Sequence, residues 1–155
     1  MENDAVAKPS VGPFTVILVE KDLMSRMTLA AILSCDGYRV FQAENPNAAV
    51  SCIDSIKDFD VLFADFNIPE CNSLVRHATK TVPGVVVIAM AETDAMPENS
   101  ALMRYGIEAC VQKPIIYDDV RQVLSSTLER LRGSWGQGFD HPSWRVSDSR
   151  LKSAQ

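Results

Sequence analysis

Short apolar runs alternate with stretches of helical periodicity from Phe14 to Arg132. The first, Thr15-Val-Ile-Leu-Val19, is β-branched and uninterrupted, as a strand covered on both faces should be. Asp22 is placed to cap the helix that follows, on which Leu29 and Leu33 share a face four positions apart. That helix is predicted to stop near Asp36-Gly37, where glycine suits a left-handed cap. Tyr38–Gln42 reads as a less hydrophobic strand, nearer an edge. Asn45-Pro46 opens a second helix, buried through Val50, Ile53 and Ile56.

Asp60-Val-Leu-Phe-Ala64 is the third predicted strand and delivers Asp65 to its carboxyl end. Gly84–Met90 is the most hydrophobic run, and so is expected at the centre of the sheet. Pro97-Glu98 opens a helix ending at Gly106, and Ala109–Gln112 is a fifth strand leading into Lys113-Pro114. The last helix carries the clearest stripe: Val120, Val123, Leu124, Leu128 and Leu131. Asp118 and Asp119 sit at its positive end, and Arg130 and Arg132 at its negative end. Strict alternation of strand and helix predicts a doubly wound α/β fold on a parallel sheet.

Three segments are expected: a flexible lead over 1–13, one domain over 14–132, and a disordered tail over 133–155. The tail is rich in Gly and Ser; its Trp135, Phe139 and Trp144 would alternatively anchor a short partner-binding segment. The 155 residues, 46% hydrophobic, suffice for one core. No apolar run reaches the roughly 18 residues that span a bilayer, and the lead lacks a signal-peptide core. A cytoplasmic protein without membrane contact is expected. A net charge of −5 disfavours direct nucleic-acid binding. Cys35, Cys52, Cys71 and Cys110 are widely spaced, so reduced thiols are expected in place of a zinc or disulfide framework.

In open parallel sheets, reactive groups gather at the carboxyl ends of the strands. Three charged clusters reach that edge: Glu20-Lys21-Asp22, Asp65 and Lys113. With them on one edge, the domain resembles a response-regulator receiver domain of two-component signalling. Asp60-Val-Leu-Phe-Ala-Asp65-Phe-Asn67-Ile-Pro69 is similar to the family's phosphorylation segment, and Lys113-Pro114 to the lysine and cis-bonded proline after its fifth strand. Gly37-Tyr38-Arg39-Val40 and Gly106 match the family's spacing. The resemblance implies a flavodoxin-like (βα)5 fold with strand order 2-1-3-4-5. It also implies Asp65 as phosphoacceptor, Lys113 as phosphoryl contact, and Mg²⁺ held by Glu20, Asp65 and the backbone carbonyl of Asn67. The implied partners are a histidine kinase or phosphotransfer protein upstream and a protein bound by the last helices and strand downstream. Self-association as a homodimer through that same face is compatible with the family.

The sequence departs from that pattern at the second acidic position, which is Lys21. Asp22 is the next carboxylate, and it is assigned to the helix cap. Lys21 is open between three roles: metal surrogate, partner of Asp65, or solvated side chain. With Glu20 and Asp65 facing Lys21 and Lys113, the site is neutral without a cation, which predicts weakened Mg²⁺ binding. The switch hydroxyl is replaced by Met90 (Ala91 if counted back from Lys113), and the aromatic of the fifth strand by Cys110. Two functions follow: a phosphoaccepting single-domain regulator, or a receiver-shaped docking module that no longer uses phosphate. A flavin-binding reading lacks the hydroxyl- and glycine-rich phosphate loop, since Glu20-Lys21-Asp22-Leu23 stands in its place. No G-x-S-x-G and no paired histidine base occur, so no hydrolase, and no enzyme, is expected.

Overall fold

A computed structural model of the chain describes residues 13–68, 70–92 and 106–136, with side chains in the last helix to residue 129. The strands are β1 (Thr15–Val19), β2 (Arg39–Ala43), β3 (Val61–Asp65), β4 (Val86–Glu92) and β5 (Ala109–Lys113). The helices are α1 (Leu23–Cys35), α2 (Pro46–Ile56), α3 (Cys71–Thr81) and α4 (Tyr117–Gly136). The expected helix from Pro97 lies outside the described residues, as do Pro69 and the tail beyond Gly136.

All strand pairings are parallel, and the order is β2-β1-β3-β4-β5, as the resemblance implied. β2 is an edge strand whose Arg39, Phe41 and Gln42 are exposed, which explains its weaker hydrophobic signal. β4 is interior but not central. The middle position belongs to β3, and β4 owes its apolar run to cover on both faces.

Because side chains alternate across the sheet, the two faces bury separate clusters. On one face Ile17, Val19, Leu62, Ala64, Val87 and Ala89 pack with Ala49 and Ile53 of α2 and with Leu74, Val75 and Ala78 of α3. On the other, Val16, Leu18, Val61, Phe63, Ile88 and Met90 meet Leu29 and Leu33 of α1 and the Val120, Val123, Leu124 and Leu128 stripe of α4. Phe63, Leu18 and Leu124 are fully buried, and each such side chain contributes about 1.5–3 kcal/mol over an exposed one.

Local chemistry fixes where the helices begin and end. The Asp22 carboxylate accepts from Ser25 N–H at 2.9 Å and caps α1, as its position predicted. Asn45 does the same for α2, accepting from Ala48 N–H at 2.8 Å, with Pro46 in the first turn. Gly37, just beyond α1, has φ of 101°, the left-handed region that glycine enters without a Cβ clash. α4 runs to Gly136, past Arg132, where the sequence pattern ended the domain.

Candidate functional site

The register of the sheet gathers the charged strand ends at one edge. Glu20 follows β1, Asp65 ends β3 opposite Met90 of β4, and Lys113 ends β5 opposite Glu92. β3 reaches one residue further than its apolar run suggested, so Asp65 is held by strand pairing and not by a loop. The chain then turns sharply: Ile68 N–H donates to Asp65 C=O at 3.2 Å, and Phe66 N–H to Met90 C=O at 2.7 Å.

Lys113 organises the site. Its Nζ lies 3.0 Å from Asp65 Oδ2 and 3.0 Å from Glu20 Oε1. Both carboxylates are buried, Glu20 at 3% and Asp65 at 6% exposure. Each gives its other oxygen to a backbone N–H: Glu20 Oε2 accepts from Asp22 at 2.9 Å, and Asp65 Oδ1 from Asn67 at 3.0 Å. The Lys113 contact to Asp65 is a full hydrogen bond. Glu20 Oε1 is buried without a hydrogen-bond donor in good geometry, so its 3.0 Å approach to Lys113 acts as an ion pair. Burial pushes the Lys113 ammonium down, but the two carboxylates outweigh burial and hold its pKa above the ordinary lysine value. The Lys113–Pro114 peptide bond is cis, as the resemblance implied.

Unlike Lys113, Lys21 makes no ion pair with Glu20 or Asp65. It is exposed, and it lines an open cleft of about 330 Å³ together with Asp65, Asn67 and Ile68. The lining is completed by Glu44, Asn45 and Pro46 at the start of α2, and by Glu70 at the start of α3. Arg26 braces the β1–α1 turn by donating to Glu20 C=O at 2.9 Å.

Met90 and Cys110, the positions that the resemblance assigned to the switch, are buried on opposite faces of the sheet. Met90 is 1% exposed in the cluster under α1 and α4. Cys110 packs in the cluster under α2 and α3. Burial pushes its thiol up to about 12. Cys71, whose spacing carries no functional signal, is buried near the site; burial and then the Asp65 carboxylate push it up to about 11. Glu44 and Glu70 also escaped notice, because they stand on loops that carry no periodicity. Glu70 has φ of 67°, a left-handed conformation that is costly for a non-glycine residue, at the very wall of the cleft.

The model for the response regulator receiver domain matches residues 16–125. The chain belongs to this family. Among curated relatives, the sensor histidine kinase RcsC of Escherichia coli K-12 is 27% identical over 126 residues, 77% of this chain and 13% of RcsC. The chain thus spans about an eighth of the length of that relative. The CheY-like receiver domain protein of Methanospirillum hungatei JF-1 superposes with a TM-score of 0.71 at 22% identity, covering 79% of this chain and 99% of that one. The receiver domain of Saccharomyces cerevisiae Ssk1, solved with the histidine phosphotransfer protein Ypd1, superposes at 0.63 and 18% identity, covering 86% and 97%.

The receiver fold is therefore shared. Mg²⁺ takes an octahedron of oxygens, commonly one or two carboxylates completed by water and phosphate. Here both buried carboxylates are engaged by Lys113 and by backbone N–H groups, and the third acid, Asp22, is spent on capping α1. Among the described residues no group of three or more His, Cys, Asp or Glu could hold a metal ion. Lys113 thus already offsets part of the negative charge of Glu20 and Asp65, which disfavours a divalent cation beside them.

Proposed function

We propose that this chain is a phosphoacceptor in two-component signalling, taking a phosphoryl group on Asp65 from a histidine kinase or phosphotransfer protein. The observation that carries this reading is the Lys113 ammonium, 3.0 Å from Asp65, which lines an open cleft. In the reaction a carboxylate oxygen of Asp65 attacks phosphorus. The new O–P bond forms as the P–N bond to the donor imidazole breaks, and the imidazole leaves with the electron pair. Lys113 orients Asp65 beforehand and then meets a phosphoryl oxygen. Asp65 acts as acceptor in a relay, and the chain has no enzymatic turnover of its own.

The upstream partner is supported by the yeast receiver solved with its phosphotransfer protein. Mg²⁺ binding is weak on this reading, because Lys113 already neutralises part of the carboxylate charge. Output runs through the face of α4 and β5, to a downstream protein or to a second copy of the chain.

Intact mass spectrometry after incubation with acetyl phosphate tests the proposal, with Asp65→Asn as the control. One added phosphoryl group in wild type alone is the expected result. A second reading, docking without phosphate, is favoured by Met90, which puts an apolar side chain where a moving hydroxyl would be needed and seals it in the core. Absence of any adduct would transfer the function to that reading.

A further inference from the structure

The two lysines of the site have different work. Lys113 is committed to Glu20 and Asp65, and its side chain is 19% exposed. Lys21 is exposed in the wall of the cleft that reaches Asp65, and among the described residues it makes no ion pair. Its position is set by the rigid strand end before it and the cap after it. Glu20 N–H donates to Ala43 C=O at 3.1 Å, and Asp22 is fixed both by its N–H to Glu20 and by its carboxylate to Ser25. The ammonium of Lys21 is a compact charge on a flexible stem, suited to a phosphoryl oxygen that arrives from solvent.

We propose that Lys21 is the electrostatic partner of the incoming phosphoryl group, and that phosphorylation of Asp65 proceeds without a divalent cation. The proposal rests on the phosphoacceptor reading above. Charge supports it. An ammonium in place of a carboxylate changes the site by two charge units, which is the charge a divalent cation would bring. After transfer, the phosphoryl group on Asp65 carries about −1.5 to −2. Lys21 on the cleft side and Lys113 on the sheet side offset that charge, with Glu20 left to hold Lys113 in place. A cleft-side ammonium therefore attracts the charge that the product carries, and does so without a cation. With acetyl phosphate as donor, the Asp65 oxygen forms its bond to phosphorus as the bond to the acetate oxygen breaks, and acetate leaves with the electron pair.

The test measures adduct formation from acetyl phosphate by intact mass, in excess EDTA and in excess Mg²⁺, for wild type, Lys21→Gln and Lys21→Asp. Wild type is expected to form the adduct at the same rate in both. Lys21→Gln should slow at least about tenfold in EDTA. Lys21→Asp should form the adduct only with Mg²⁺. In parallel, Mg²⁺ is titrated against ¹⁵N-labelled protein: the amides of Asp65 and Asn67 are expected to shift in Lys21→Asp and to stay in place in wild type. Lys21 is exposed, so these variants fold, and their amide spectra report it. A wild-type adduct that requires Mg²⁺, or wild-type amides that move with Mg²⁺ as those of Lys21→Asp do, overturns the role of Lys21 and leaves the phosphoacceptor reading standing. No wild-type adduct under either condition overturns both.

Discussion

Lys113 and Asp65 are 48 positions apart in the chain, yet Nζ and Oδ2 meet at 3.0 Å on the edge of the sheet. The contact spans β4, which lies between β3 and β5: Asp65 is level with Met90 and Met90 with Val111, so Lys113, two residues further on, lies beyond the end of β3 and reaches back to it. The same ammonium also covers Glu20, so one cation holds two buried carboxylates that would otherwise repel.

Removing that cation exposes the repulsion. Lys113→Met should lower stability by about 2 to 3 kcal/mol, less than a fully buried pair would lose because the lysine is partly solvated. Urea denaturation at neutral pH measures it. Adding Asp65→Asn should recover part of the loss, and a double variant as unstable as the sum of the singles would contradict the bridge.

Alkaline pH should act in the same direction. The folded Lys113 pKa is raised above the ordinary 10.5, so its contribution is complete below that value. It is lost as pH climbs through the folded pKa. The stability gap between wild type and Lys113→Met should therefore be constant from neutral pH to about pH 10 and narrow above it. A gap that narrows on the acidic side of neutrality would instead implicate the carboxylates.

Restoring a hydroxyl at Met90 should be costly. Met90 is 1% exposed in the cluster that also holds Phe63 and Val111, and Met90→Thr both empties volume and buries a polar group. A loss of about 2 to 4 kcal/mol is expected from thermal or urea unfolding. Met90→Leu, nearly equal in volume, should cost less than about 1.5 kcal/mol. Equal effects for the two would mean that the side chain is not packed as described.

The four thiols should separate by reactivity. Cys35 is exposed and Cys52 intermediate, while Cys71 and Cys110 are buried and held protonated, to about 11 and 12. Iodoacetamide at pH 8 should label Cys35 first, and Cys71 and Cys110 only after denaturant is added, as peptide mapping would record. Rapid labelling of Cys110 in the native protein would place it at the surface.

Much of this protein is written locally. β1, β3 and β4 are short runs of apolar, often β-branched residues. Asp22 and Asn45 announce helix starts because a cap needs only a side chain two or three residues from the N–H it accepts. Asp65 and Lys113 could be picked out as the ends of such runs. Gly37 marked a helix end because its backbone conformation is itself a local property.

What the sequence left open was whatever depends on register and direction across the sheet. Lys21 had three readings, and it took the fold to give Asp65 to Lys113 and to turn Lys21 toward the cleft. Strand alternation, fixed only once β4 pairs with β3 and β5, sent Met90 to one face and Cys110 to the other. The cleft walls at Glu44 and Glu70 come from loops after different strands. Side-chain type and short-range spacing therefore determined the elements and named the reactive groups, whereas long-range pairing decided which charges meet.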